Sequence, residues 1–168
     1  RNGLDFNYMM DNVEEFLERI PYRNSITFIC TYNNLSITSM DKLLQKILEL
    51  RQRYSKEYQR VWFDVPLLRQ PAWQQITMLP ESYMSIHEDN IEYMRNHSGE
   101  DKGLHIFKDF EIQKMLRNLA YWKKNADASP MLKKNFYAFF NEHDRRRNTN
   151  FQNTFPEMID FWQECMNA

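Results

Sequence analysis

Glycine is scarce in this chain: Gly3, Gly99 and Gly103 are the only three in 168 residues. Glycines so placed cannot build a P-loop, a G-x-G-x-x-G turn or a G-x-S-x-G nucleophile elbow. Cysteine is scarcer still, with Cys30 in an apolar β-like run and Cys165 on an aromatic helix face. Neither belongs to a C-x-x-C or C-x-x-x-C-x-x-C cluster, so the segment offers no recognisable zinc or iron–sulfur site. Both read as buried free thiols in a reducing compartment. There is no H-E-x-x-H, and His87, His97, His105 and His143 are not spaced as i, i+4 pairs, so no local metal site is expected. No apolar run approaches the roughly 20 residues that span a bilayer, and no signal-peptide pattern opens the chain. A net charge of −1 exerts no global pull toward nucleic acid or an anionic membrane.

What is present is aromatic and patterned. Aromatics make up 15% of the chain, which points to a packed fold of one domain or part of one. The chain opens at Arg1 on what already looks like a helix entrance, and is expected to be a piece of something longer. Asp5 can cap a helix whose apolar residues Phe6, Met9, Val13, Phe16, Leu17 and Ile20 recur every three or four positions, with Pro21 as its stop. Residues 25–32 are β-branched and aromatic and read as a strand. A second amphipathic helix follows from about Ser39 to Tyr54, with Met40, Leu43, Leu44, Ile47, Leu48 and Leu50 as its expected buried stripe. Residues 61–65 form another short apolar strand. This order is a βαβ unit, which favours parallel pairing and a right-handed crossover.

Beyond Pro66 the pattern changes. Residues 74–79 read as a further strand between Pro71 and Pro80. From Glu81 onward everything reads as helix, over about 81–97, 106–124, from Ser129-Pro130 onward, and after a capping-box pattern at Thr154-Phe155-Pro156-Glu157. The fold expected is α/β, with residues 1–80 in the α/β part and 81–168 as a helical C-terminal extension.

Parallel α/β folds bind ligands at the carboxyl ends of their strands, here Thr31-Tyr32-Asn33-Asn34 and Asp64. The adjacent amides could contact a polar ligand or shape a turn, and local pattern favours the turn. Glu142-His143-Asp144 could orient an imidazole, but reads better as a charged helix end. Arg145-Arg146-Arg147, close to Tyr137, Phe139, Phe140 and Phe151, could bind phosphate groups. Basic residues late in a helix also complement its dipole, and the solvated-face reading is preferred.

Several stretches together resemble the second half of a radical S-adenosylmethionine (radical SAM) domain of the SPASM or twitch subgroup. Arg1-Asn2-Gly3-Leu4-Asp5-Phe6 with Met9 and Asn12-Val13 is similar to the family's R-x-G-x-x-F/W…N-V segment. Residues 26–35, ITFICTYNNL, resemble its fifth strand, and residues 61–80, VWFDVPLLRQPAWQQITMLP, its sixth strand and exit. The tail NFYAFFNEHDRRRNTNFQNTFPEMIDFW also looks like the end of such proteins. The resemblance covers most of the chain, and its weight lies in order and spacing.

The resemblance implies a partial (βα) barrel of parallel strands, followed by the helical C-terminal region. It implies S-adenosylmethionine and a [4Fe–4S] cluster as the parent's cofactors, neither expected to bind this segment alone, and a cytoplasmic setting. The implied partners are the missing N-terminal half of the barrel, an electron donor, and an unknown peptide or small-molecule substrate; no membrane is implied and nucleic acid is not expected. Arg1 matches an arginine that contacts the S-adenosylmethionine carboxylate, while Thr31, Asn33, Asn34 and Asp64 match positions facing the barrel mouth. The family's cluster motif C-x-x-x-C-x-x-C is missing, so the segment is expected to be inactive alone. The rival expectation is a non-catalytic module that binds nucleic acid or a phosphorylated partner through its basic tail. A truncated sheet is further expected to leave an unpaired edge prone to self-association.

Overall fold

The computed structural model describes residues 5–20, 23–99 and 103–168. Arg1, Gly3 and Pro21 therefore lie outside the described residues.

Helix α1 spans Phe6–Arg19. The Asp5 carboxylate accepts from the amides of Asn7 (2.9 Å) and Tyr8 (3.2 Å), which satisfies donors that a helix start leaves open. Strand β1 is Ile26–Ile29, helix α2 is Met40–Tyr54 and strand β2 is Val61–Asp64. The strands pair in parallel, with Ile26 opposite Val61 and Ile29 opposite Asp64. Successive strand residues point to opposite faces. Val61 and Phe63 are buried with half-buried Ile26 and Phe28, whereas Thr27, Ile29, Trp62 and Asp64 share the more open face.

The back half is helical: α3 Met84–Asn96, α4 Asp109–Asn125, α5 Pro130–Arg147, α6 Phe151–Thr154 and α7 Ile159–Met166. Phe136 stacks edge-on against Phe151 and Phe161, with centroids 5.5 and 5.2 Å apart, so α5 to α7 meet around one aromatic cluster. Buried side chains on both sides of residue 80 belong to the same core, from Met10 and Leu44 to Trp122 and Phe161.

The expected partial (βα) barrel is not formed. The chain is mostly helical (65%), and the described residues carry one sheet of two parallel strands. The expected strand over 74–79 is instead a pair of 3-10 turns, Ala72–Gln74 and Ile76–Met78. Ile76, Thr77, Met78 and Leu79 are all buried, and the outer edge of β2 is closed to them, because α4 lies against it. Phe63 N–H donates to Glu111 Oε1 (3.2 Å), and the Val65 carbonyl accepts from Asn118 Nδ2 (3.2 Å). A sheet sealed in this way by side chains cannot grow in that direction.

The capping box at Thr154 is also absent. The Thr154 hydroxyl donates to the Asn150 carbonyl at the end of α6, and Glu157 accepts from Thr38 (2.7 Å). Pro156 opens a short 3-10 turn before α7.

Candidate functional site

The carboxyl ends of β1 and β2 are held together past the strands themselves. Cys30 N–H donates to the Asp64 carbonyl (2.9 Å) and Tyr32 N–H to the Pro66 carbonyl (2.7 Å). Thr31 therefore continues the face of Ile29 and Asp64. It is exposed, and its hydroxyl has no partner among the described residues. Asp64 lies on the same face, about a third exposed, and is occupied twice: it pairs with Lys114 of α4 and accepts from Val65 N–H (2.8 Å).

The two amides separate. Asn33 folds its own turn: its Oδ1 accepts from the amides of Leu35 (2.8 Å) and Ser36 (3.2 Å), and its Nδ2 donates to the Thr31 carbonyl. Asn34 is fully buried and locks the loop after β2, donating to the Trp73 carbonyl (3.1 Å) and the Met78 sulfur (3.2 Å). Its Oδ1 is buried without a protein partner. Of the residues singled out from sequence, the structure thus brings Thr31 and Asp64 onto one open face. It uses Asn33 and Asn34 to shape and brace the loop, and Arg1 lies outside the described residues.

Beside this end, Phe6, Cys30, Ser36, Ser39, Met40, Lys42 and Leu43 line a hollow of about 320 Å³. Burial pushes the Cys30 thiol above its ordinary range, and pushes the Cys165 thiol up to about 12, so neither is a thiolate near neutrality. Among the described residues no three His, Cys, Asp or Glu side chains gather as a metal site. A four-iron cluster, which needs several thiolates, finds no fitting donor set in Cys30 and Cys165.

Two of the three tail arginines share one carboxylate. Glu142 accepts from Arg145 (2.7 Å) and Arg146 (2.6 Å), and these guanidiniums hold its carboxyl down to about 2. Asp144 is turned to the chain that follows, accepting from the Thr149 hydroxyl (2.7 Å) and Phe151 N–H (2.6 Å). His143 is not aligned as a catalytic imidazole: its Nδ1 is 3.7 Å from Asp144 Oδ1.

Two buried polar pairs escaped the sequence reading. Tyr32 Oη lies 2.6 Å from His87 Nδ1, and His87 Nε2 lies 2.9 Å from the Met115 carbonyl. The carbonyl can only accept, so Nε2 carries the proton and Tyr32 donates to Nδ1. Burial holds His87 below its ordinary pKa and lifts that of Tyr32, which keeps both neutral. The second pair is Arg51 with Glu111, both fully buried. A signal for it exists, because Arg51 continues the buried series Met40, Leu44, Ile47 at the next helical step.

Comparison of the chain with protein-family models, characterised proteins and solved structures finds no match. Among the described residues no helix is long and apolar enough to cross a membrane.

Proposed function

We propose that this chain is a cluster-free, non-catalytic part of a cytoplasmic radical SAM enzyme, in which it walls the ligand pocket. Support comes from the order and spacing of the family-like motifs, together with one geometric observation. Thr31 and Asp64 share the open face at the carboxyl ends of two parallel strands, the end at which parallel α/β units bind their ligands. On this reading the S-adenosylmethionine and the [4Fe–4S] cluster are held mainly by polypeptide outside these 168 residues. Thr31 offers a free hydroxyl to a polar ligand, and Lys114 fixes the Asp64 carboxylate beside it.

Anaerobic reconstitution with iron, sulfide and S-adenosylmethionine tests the reading. The 168-residue chain is expected to give no four-iron absorbance. The product of the complete reading frame that contains it is expected to give that absorbance and to cleave S-adenosylmethionine on reduction. A cluster in the 168-residue chain, or none in the complete product, overturns the proposal.

A further inference from the structure

Cys30 extends the ladder of β1 on the side opposite to Ile29 and Thr31, so it turns away from the open face. There it lines the hollow of about 320 Å³ between the first residue of α1 and the first turn of α2. The walls are chiefly apolar, from the Phe6 ring, the Met40 and Leu43 side chains and the Cys30 thiol. Phe6 is 52% exposed at the rim, a large ring that the fold leaves uncovered.

The polar groups of the wall differ in what they leave free. The Ser36 hydroxyl is engaged by Asn33, accepting from its N–H (2.9 Å) and donating to its carbonyl (2.9 Å). Ser39 is exposed, and its side chain makes no capping hydrogen bond to α2. Lys42 is exposed and has no ion pair among the described residues. No carboxylate lines the hollow, and the Cys30 thiol stays protonated, so nothing on the wall opposes a negative charge beside Lys42. By contrast, the hollow beside Tyr54 is lined by Arg53 and Glu18, which already face each other at 3.8 Å.

We propose that the hollow at the end of β1 binds a medium-chain carboxylic acid, its hydrocarbon tail among Phe6, Met40 and Leu43 and its carboxylate on Lys42 and Ser39. Apolar walls with a few placed polar groups are the usual make-up of a small-molecule site. The tail takes apolar wall out of water, and the head meets an ammonium and a hydroxyl donor. A neutral hydrocarbon would leave Lys42 unused, and a small anion would leave Phe6 bare. The site is separate from the open face of Thr31 and Asp64 and does not depend on the function proposed for that face.

Alkylation of Cys30 reads the occupancy, because its thiol is part of the wall. In the 168-residue chain at pH 8, octanoate at about ten times its half-protecting concentration is expected to slow iodoacetamide labelling of Cys30 about tenfold, with Cys165 unlabelled. Hexanoate should protect less well, by about fourfold for each CH₂ removed, and acetate not at all. Lys42→Glu places an acid in the first turn of α2, where helices favour one, so the fold is not at risk. It is expected to raise the half-protecting concentration of octanoate about fivefold and to leave that of 1-octanol unchanged. Absence of octanoate protection overturns the proposal, as does protection that acetate equals or that ignores tail length. Octanoate protection unchanged by Lys42→Glu also overturns it, because the head would then lie elsewhere.

Discussion

Arg51 and Glu111 meet in the interior, Nη2 2.6 Å from Oε1, with neither side chain reaching solvent. Every neighbour of the pair is structural. Arg51 also donates to the Val61 and Ile106 carbonyls and lies over the Phe107 ring, while Glu111 also accepts from the amides of Phe63 and Lys108. The pair ties α2, β2 and the start of α4 into one unit.

Removing one partner leaves the other charge buried. Arg51→Met and Glu111→Leu are each expected to cost about 3–5 kcal/mol, and the double variant less than the sum. Urea denaturation of the four proteins measures this. Additive single effects would show that the two side chains act independently.

His87 makes stability depend on pH. Its pKa lies below the ordinary 6.5 in the fold, chiefly through burial, so the unfolded chain takes up the proton first. The stability it contributes is complete above about pH 6.5 and falls as the pH drops below that, by at most about 1.4 kcal/mol per pH unit. His87→Gln is expected to lower stability at pH 7.5 and to flatten the decline between pH 6.5 and 5. An unchanged slope would assign the pH dependence to other groups.

Asn34 braces the loop after β2 through the Trp73 carbonyl and the Met78 sulfur. Asn34→Ala is expected to cost about 1–3 kcal/mol, the usual penalty for a lost buried partner. Asn34→Asp should cost more, because it loses the amide donor and buries a charge that none of these contacts can satisfy. Thermal melts of both variants check the order.

The thiols should differ in reactivity. Cys165 is buried, with its pKa pushed up to about 12, whereas Cys30 is partly exposed. Iodoacetamide at pH 8 is expected to modify Cys30 slowly and Cys165 only under unfolding conditions. Equal labelling rates in the native protein would contradict the packing of α7.

The tail arginines are expected to be electrostatically quiet. Replacing Arg145, Arg146 and Arg147 with serine should leave retention of generic RNA unchanged at about 0.15 M salt, because Glu142 already holds two of the three. A salt-dependent loss of binding would restore the nucleic-acid reading.

The sequence by itself determined the local elements. Asp5 as cap, the three-to-four spacing in α1 and α2, the β-branched runs of β1 and β2 and Pro130 at the head of α5 are short-range signals, and each produced its element within a few residues. That Thr31 and Asp64 stand at the carboxyl ends of their strands was also legible, because strand-end positions follow from strand limits. Only the tertiary structure decided how far the sheet extends. Glu111 seals β2 from nearly fifty residues away, Arg51 finds Glu111 sixty residues on, and Thr38 takes Glu157 across 119. Residues 74–79 have the composition of a strand, but a strand needs a free neighbouring edge, and α4 has filled the one at β2. Periodicity reports which face of an element is apolar; it does not report which distant polar group satisfies the backbone that face leaves behind.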